Sequence, residues 1–165
     1  MWRLSAVATL AFITGCARPD ERPHFNDTAT MLSVFDPRAD KQLITGFFPA
    51  YAQGRWTGRT FSVTLKPPST AARKGAVVLL RFGIPGPSID VLHSIRVSAA
   101  VNGIRLAPEE YVKAGEFDYV RDVPAEAFRG GNATVEFALD KALPPGGVER
   151  RELGVVANTI GFEAK

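Results

Sequence analysis

The chain has 165 residues, 45% of them hydrophobic, and 20 Lys and Arg against 17 Asp and Glu give a net charge of +3. This length is enough for one domain with a real hydrophobic core. The charge balance lacks the clustered excess of basic residues typical of nucleic-acid binding. The single cysteine excludes an intrachain disulfide. Twelve Pro and 15 Gly among short apolar runs favour β structure over helices.

The N-terminus has the pattern of an export signal. Arg3 precedes an apolar run over residues 4–13, which is shorter than the roughly 20 residues of a membrane-spanning helix but suits a secretory signal. The run ends in Ile13-Thr14-Gly15-Cys16, which resembles the lipobox of bacterial lipoproteins. The resemblance implies cleavage before Cys16, acylation of its sulfur and of the freed amine, and stable anchoring in the lipid bilayer by several acyl chains.

The lipobox leads to a division of the chain and to a location. Residues 1–15 are the predicted signal peptide, 16–42 a lipidated N-terminus with a polar tether and a lead-in segment, and 43–165 a β-sandwich domain. The expected location is the bacterial cell envelope. Ala17 stands where an Asp would retain a lipoprotein at the inner membrane, which favours the outer membrane of a Gram-negative cell. The alternatives are an uncleaved anchor and an ordinary signal with a chance cysteine.

Short predicted strands follow one another along the rest of the chain. Phe61, Val63 and Leu65 alternate with polar residues, which is the period of a strand with one buried face. The run over 76–82 is apolar on both faces except at Arg81, as in a central strand. The predicted strands of the domain cover 43–48, 55–65, 76–82, 94–101, 104–106, 117–123, 133–139 and 153–163, and 31–35 is a candidate short strand in the segment before it.

Three local signals refine this pattern. Asn102-Gly103 predicts a tight hairpin, because both residues tolerate a positive φ. Residues 124–128, with Pro first and two glycines after, predict one helical turn. The apolar parity switches within 153–163, which predicts a β-bulge near Asn158. The whole pattern predicts an all-β fold, an antiparallel two-sheet sandwich that is jelly-roll-like, with seven or eight strands and one short helical turn.

Parts of the predicted domain resemble known sandwich modules. Segment 123–137, with its Val-Pro-Ala-Glu turn and Gly-Gly-Asn strand entry, follows a hairpin and a strand. It resembles the galactose-binding-like jelly rolls attached to bacterial glycan-processing enzymes. Residues 55–59, 151–155 and 160–162 resemble a sandwich module of bacterial surface-polysaccharide proteins. These resemblances cover roughly residues 43–163 and imply a jelly-roll fold with carbohydrate binding, and no catalytic residue is carried over.

One group of residues has the chemistry of a sugar-binding site. An aromatic face packs against the C–H face of a pyranose ring, while planar guanidinium and carboxylate groups bind hydroxyls. The candidate ligand-binding residues are Tyr51, Arg55, Trp56, Arg59, Arg151 and Glu152. The alternative is structural. In it Trp56 caps the core with Arg55 or Arg59 stacked on it, and Arg151 and Glu152 form ion pairs with Arg59 or Asp140.

No grouping of residues points to catalysis or to a metal. His24 and His93 are far apart and have no cysteine partners. Glu109 and Glu110 follow Pro108, and we interpret them as loop charges, since adjacent strand residues point to opposite faces and cannot form a glycosidase pair. No G-x-S-x-G motif and no phosphate-binding loop occurs. The sequence therefore predicts no enzyme, no catalytic residue, no metal and no cofactor.

The sequence leaves two functions of different classes. The first is a membrane-anchored, non-catalytic β-sandwich lipoprotein that binds carbohydrate or cell-envelope glycan. The second is a structural or assembly lipoprotein that binds another envelope protein through a sheet edge or an apolar patch of the sandwich. Neither involves nucleic acid. The first is favoured by the resemblance more than by the residues.

Overall fold

The computed structural model of the protein describes residues 28–52 and 54–165. The predicted signal peptide, the lipobox with Cys16, Ala17, His24 and the tether lie outside these described residues. The described strands are β1 (Met31–Ser33), β2 (Leu43–Tyr51), β3 (Gly54–Leu65), β4 (Ala76–Ile84), β5 (Ile95–Val101), β6 (Ile104–Arg105), β7 (Glu109–Tyr111), β8 (Gly115–Val123), β9 (Ala133–Leu139) and β10 (Val156–Ala164).

The strands form one curled antiparallel sheet that folds into two facing layers. The hydrogen-bonded order is β6-β5-β9-β3-β10-β4-β8, with β1 beside β10, β2 beside β3 and β7 beside β5. Strand β3 turns the corner, since its first residues pair with β10 and residues 60–65 pair with β9. The layers meet where Tyr119 of β8 contacts Phe137 of β9, with ring centroids 6.4 Å apart. The predicted all-β antiparallel sandwich is confirmed.

The core lies between these layers and follows the alternation read from the sequence. Phe61 and Phe137 stack at 5.0 Å in its centre, and both are 1% exposed. Their neighbours along β3 and β9 alternate buried and solvent-facing. The outward residues are therefore free to shape the surface of each layer.

The local signals in the sequence correspond to real features. Asn102 and Gly103 have φ of 46° and 85° in the hairpin between β5 and β6. The helical turn is a 3₁₀ turn over Ala125–Phe128. The register of β10 against β4 shifts between Ala157 and Thr159, which is the predicted bulge at Asn158.

The structure adds elements that the sequence analysis did not assign. The described residues hold ten strands instead of seven or eight, because short strands such as β7 complete the sheet edges. Glu109 and Glu110 thus lie in a strand and not in a loop. Two short helices also occur, α1 (Ala71–Lys74) and α2 (Gly86–Leu92). The proline in the first turn of α2 is compatible with starting a helix, and His93 is the C-terminal cap of that helix.

The segment before residue 43 contributes to the sandwich. Strand β1 pairs with β10, and Leu32 and Val34 are buried in the core. The side chain of Gln42, 8% exposed, donates to the carbonyls of Ala29 and Thr64 and accepts from the Ala29 amide. These contacts fasten the segment to β3. Among the described residues, no helix has the length and apolar character needed to span a membrane.

Candidate functional site

A row of four residues crosses the outer face of one layer. In register, Glu116 of β8 lies opposite Gly83 of β4, Gly83 opposite Val156 of β10, and Val156 opposite Trp56 of β3. Directly opposed residues on antiparallel strands point to the same side. Since Phe82, the neighbour of Gly83, is fully buried, the row faces outward. Neighbouring strands are about 4.8 Å apart, so the floor of Gly83 and Val156 separates Trp56 from Glu116.

The hairpin between β2 and β3 places a second aromatic ring beside Trp56. Tyr51 pairs with Gly54 across the turn and is 77% exposed. Ala52 within the turn has a φ of 51°, a left-handed conformation that disfavours residues with a Cβ. At Gly54 a Cβ would lie 2.7 Å from Val156 Cγ1. Glycine thus lets the hairpin lie close to β10, and this brings Tyr51 to the row.

The rings of Tyr51 and Trp56 line two adjoining hollows, which we name together the Trp56 cleft. The larger has a volume of about 620 Å³. The smaller has a volume of about 440 Å³. The larger is also lined by Ala52, Gly54, Pro85, Glu116, Val156 and Asn158. The smaller is also lined by Phe48, Pro49, Ala50 and Arg151. Trp56 is half-buried, so its ring is held by the fold and still meets solvent.

Arg55 does not contribute to this cleft. Its neighbour Trp56 points outward, so Arg55 points to the other side of β3. There its guanidinium donates to the carbonyl of Val34 and to the carboxylate of Asp40, and its side chain is only 12% exposed. Arg55 therefore joins β3 to the segment before residue 43.

Arg59 and Glu152 form an ion pair with each other at 2.5 Å. This is one of the pairings that the structural alternative predicted. Neither side chain is among those that line the Trp56 cleft. Both are partly exposed, so the pair contributes little to stability.

Arg151 lies at the Phe48 end of the cleft. Its guanidinium carbon is 4.6 Å from the centroid of the Phe48 ring, a cation–π contact. Two of its nitrogens donate to Glu149 at 2.7 Å each. These hydrogen bonds lower the pKa of Glu149 to about 2, and Arg151 and Glu149 form an ion pair whose opposite charges cancel.

The structure thus brings together Tyr51, Trp56 and Arg151 and separates them from Arg55, Arg59 and Glu152. The stacking predicted by the structural alternative does not occur. The described cation–π contacts are Arg121 on Tyr119 and Arg151 on Phe48. The assignment of ligand-binding residues stays a prediction.

Sequence reasoning missed most of the cleft. Glu116 and Val156 reach it through strand register, with Gly83 between them in the row, whereas Phe48 lies in β2 and Pro85 follows β4. These residues are separated by tens of positions along the chain. The alternation of β8 indicates that Glu116 faces outward, but only the pairing of β8, β4 and β10 identifies what it faces.

The side chains that line the cleft are of types that bind ligands and do not form a catalytic pair. Its lining offers aromatic faces, one carboxylate at Glu116 and one guanidinium at Arg151. Among the residues that the structure describes, no group of three or more His, Cys, Asp or Glu side chains is arranged to hold a metal ion. The paired acidic groups that hydrolyse glycosidic bonds require two carboxylates, and the described lining carries one.

A second hollow of about 610 Å³ lies on the outer face of the other layer. A row of residues opposed in register crosses this hollow, from Thr45 through Ser62, Glu136 and Ala100 to Arg105. We name it the opposite hollow. Ser98, Ala138, Leu106 and Pro108 also line it, and Phe61 and Phe137 lie beneath it.

Comparisons with known proteins give distant structural similarities. No family model and no curated protein matches the chain. A carbohydrate-binding module CBM36 in complex with calcium and xylotriose is 12% identical, with a TM-score of 0.40, over 76% of this chain and 96% of that chain. A family 35 module from an environmental isolate is 14% identical, with a TM-score of 0.38, over 85% and 90%.

A third structure is similar at the same level. The CBM36-1 domain of a multidomain xylanase from the hindgut metagenome of Trinervitermes trinervoides is 17% identical, with a TM-score of 0.38. The match covers 67% of this chain and 73% of that chain. At this distance no residue role is transferred from these structures to the present chain.

Proposed function

We propose that this protein is a non-catalytic saccharide-binding module and that its ligand lies in the Trp56 cleft. The observation that carries the proposal is the half-buried ring of Trp56 beside the exposed ring of Tyr51, between two hollows that hold charged groups. The larger hollow has a volume of about 620 Å³. Pockets for small ligands have about 300–1,000 Å³.

The two rings and the charged groups have complementary roles in this proposal. The apolar C–H face of a sugar ring packs on an aromatic side chain, whose area and rigidity make it a strong contact. The sugar hydroxyls then reach Glu116 on one side of Trp56 and Arg151 on the other. Charged partners give hydrogen bonds that are stronger than those between neutral groups.

A truncation of Trp56 tests the proposal directly. Detergent-solubilised full-length protein is applied to a glycan array, and the best ligand is titrated by calorimetry against wild type and Trp56→Ala. We expect at least a roughly tenfold loss of affinity, because buried aromatic anchors carry much of the binding energy. The matched control is Leu106→Ala, which shortens an apolar side chain in the opposite hollow and leaves affinity unchanged.

Two outcomes would contradict the proposal. The first is a folded Trp56→Ala protein, with the circular dichroism spectrum of wild type, that binds the glycan as well as wild type does. The second is no glycan binding at all, together with a stoichiometric protein partner recovered by cross-linking, which would favour the assembly lipoprotein.

We also propose that a lipid anchor on Cys16 holds the module at the membrane surface of the bacterial envelope. The support is the sequence Ile13-Thr14-Gly15-Cys16 after an apolar run. Mass spectrometry of wild type is expected to show an acylated N-terminal Cys16, and density-gradient fractionation to place it in the outer membrane. Cys16→Ser should be unprocessed and leave the lipidated fraction. A Cys16→Ser protein that remains lipidated would overturn the anchor.

A further inference from the structure

We infer that the ligand of the Trp56 cleft carries a protonated amine, as in an amino sugar with a free amino group, and that Glu116 binds this ammonium. The inference rests on the saccharide-binding function proposed above and names the chemical class of its ligand. It depends on three features of the cleft, which are the position of Glu116, the charges around it and the aromatic rings opposite it.

The Glu116 carboxylate lies over Gly83. A Cβ built on Gly83 would be 2.5 Å from Glu116 Oε1 and 3.2 Å from its carboxyl carbon. Because Gly83 has no side chain, the carboxylate lies across the floor of the row, on the side where Trp56 stands. The carboxylate is thus placed against the space between itself and the Trp56 ring.

The Glu116 carboxylate has no ion-pair partner among the described residues. Neighbouring carboxylates have arginine partners, Asp118 at 2.8 Å from Arg81 and Glu109 at 2.7 Å from Arg121, whereas the described residues provide no ion pair for Glu116. Arg81 interacts electrostatically with Glu116, but its two donated hydrogen bonds, 2.8 and 2.9 Å, both go to Asp118. Glu116 therefore presents a negative charge to the ligand.

The rest of the cleft does not neutralise this charge. Glu116 is the one charged side chain among the described residues that line the larger hollow. Arg151 in the smaller hollow is paired with Glu149. The cleft is thus negative although the chain has a net charge of +3. Complementary charge selects the partner, so a cationic group is attracted and a uronate or sulfate is repelled.

The aromatic rings favour the same ligand group. An ammonium within about 6 Å of a tryptophan or tyrosine ring is attracted by the negative face of the ring. Tyr51 and Trp56 line the hollow that contains Glu116. An amino sugar stacked on Trp56 can therefore direct its C–H face to the ring and its ammonium to the carboxylate.

The experiment compares two tetrasaccharides that differ in one group. Full-length protein in detergent is titrated with the tetramer of glucosamine and with the tetramer of N-acetylglucosamine, whose amide carries no charge. Wild type is expected to bind the glucosamine tetramer about fivefold more tightly, the upper end of what an exposed ion pair contributes. Glu116→Gln, which keeps the shape, should abolish this preference. Glu126→Gln, an exposed glutamate in the 3₁₀ turn, should keep it.

Each outcome has a defined meaning. Equal binding of the two tetramers, or tighter binding of the acetylated one, overturns the inference and leaves saccharide binding standing. A preference that survives in Glu116→Gln overturns the assignment of Glu116. Failure of wild type to bind any saccharide overturns the proposed function and the inference with it. If Glu116→Gln loses the preference for the glucosamine tetramer while its melting temperature is unchanged, the result supports both the inference and the assignment of Glu116.

Discussion

Two hollows of nearly equal volume lie on the two outer faces of this sandwich, about 620 Å³ at the Trp56 cleft and about 610 Å³ at the opposite hollow. Both are crossed by a row of outward residues that includes one from β3. In the cleft this residue is Trp56, whose ring meets solvent. In the opposite hollow it is Ser62, and the aromatic rings there lie beneath the sheet at 1% exposure.

The comparison shows that strand parity, and not volume, decides which side chains each hollow offers to a ligand. Near the start of β3, the outward position holds an aromatic residue and the inward position Thr57, which is fully buried. Near the end of β3 the aromatic and the polar residue exchange sides, because Phe61 points inward and Ser62 outward. A ligand site needs a contact surface of rigid apolar groups with a few polar ones. Of the two hollows, as their described residues line them, the cleft is the one that combines solvent-facing rings with charged groups.

The largest expected difference between the two faces is in stability. Phe137→Ala beneath the opposite hollow removes a buried ring that stacks on Phe61, which should lower the free energy of unfolding by about 3–5 kcal/mol. Trp56→Ala should cost clearly less, because its ring is half-buried. Urea denaturation of both variants measures the difference, and equal losses would make Trp56 a core residue and remove the distinction.

The next effect concerns binding without a change in stability. Gly83→Ala places a methyl group under the Glu116 carboxylate, and the flexible end of that side chain can move away. We expect an unfolding free energy within about 0.5 kcal/mol of wild type but a roughly fivefold loss of affinity for the glucosamine tetramer, since the Glu116 carboxylate is displaced from its position over Gly83. Ala138→Ser in the opposite hollow is the control and should leave affinity unchanged. Full affinity in Gly83→Ala would place the ligand elsewhere.

A smaller effect is expected from pH at the Phe48 end of the cleft. Arg151 lowers the pKa of Glu149 from 4.5 to about 2. A carboxylate whose pKa is lowered in the folded state stabilises the folded protein at pH values above its unfolded-state pKa. The contribution of Glu149 to stability is therefore complete above pH 4.5 and is lost as the pH falls through about 2. A side-chain NMR titration should give a midpoint near 2 in wild type. Arg151→Gln should return it towards 4.5, and a wild-type midpoint already at that value would contradict the hydrogen-bonded ion pair between Arg151 and Glu149.

The smallest effect is expected at the hairpin that carries Tyr51. Ala52 has a φ of 51°, so Ala52→Gly should relieve left-handed strain and raise stability by about 0.5 kcal/mol, net of the greater chain entropy of glycine. Thermal unfolding measures the change. Ala72→Gly in α1, where the backbone is helical, should lower stability by a similar amount. Destabilisation by both substitutions would show that the turn is not strained.

The sequence predicted the local parts of the fold well and the site only in part. The alternation of β3, the Asn102-Gly103 hairpin and the bulge at Asn158 depend on neighbouring residues, and all are found. Helix α2 was missed because glycine and proline at a strand end indicate a turn as readily as a first helical turn.

Of the site, Tyr51, Trp56 and Arg151 were predicted and lie in one cleft. The other candidates failed to join it for physical reasons. Arg55 is adjacent to Trp56 in sequence and therefore on the opposite face of the strand. Arg59 and Glu152 are 93 residues apart in sequence and form an ion pair with each other, so each charge is compensated by the other.

The sequence by itself determined which residues alternate inward and outward and where the chain turns, and it contains the segment Ile13-Thr14-Gly15-Cys16 on which the proposed anchor depends. These follow from backbone geometry and from neighbours a few residues apart. Only the tertiary structure decided that Glu116, Gly83, Val156 and Trp56 share one row. Register between distant strands is set by how the whole core packs, and one residue of slip would exchange the faces.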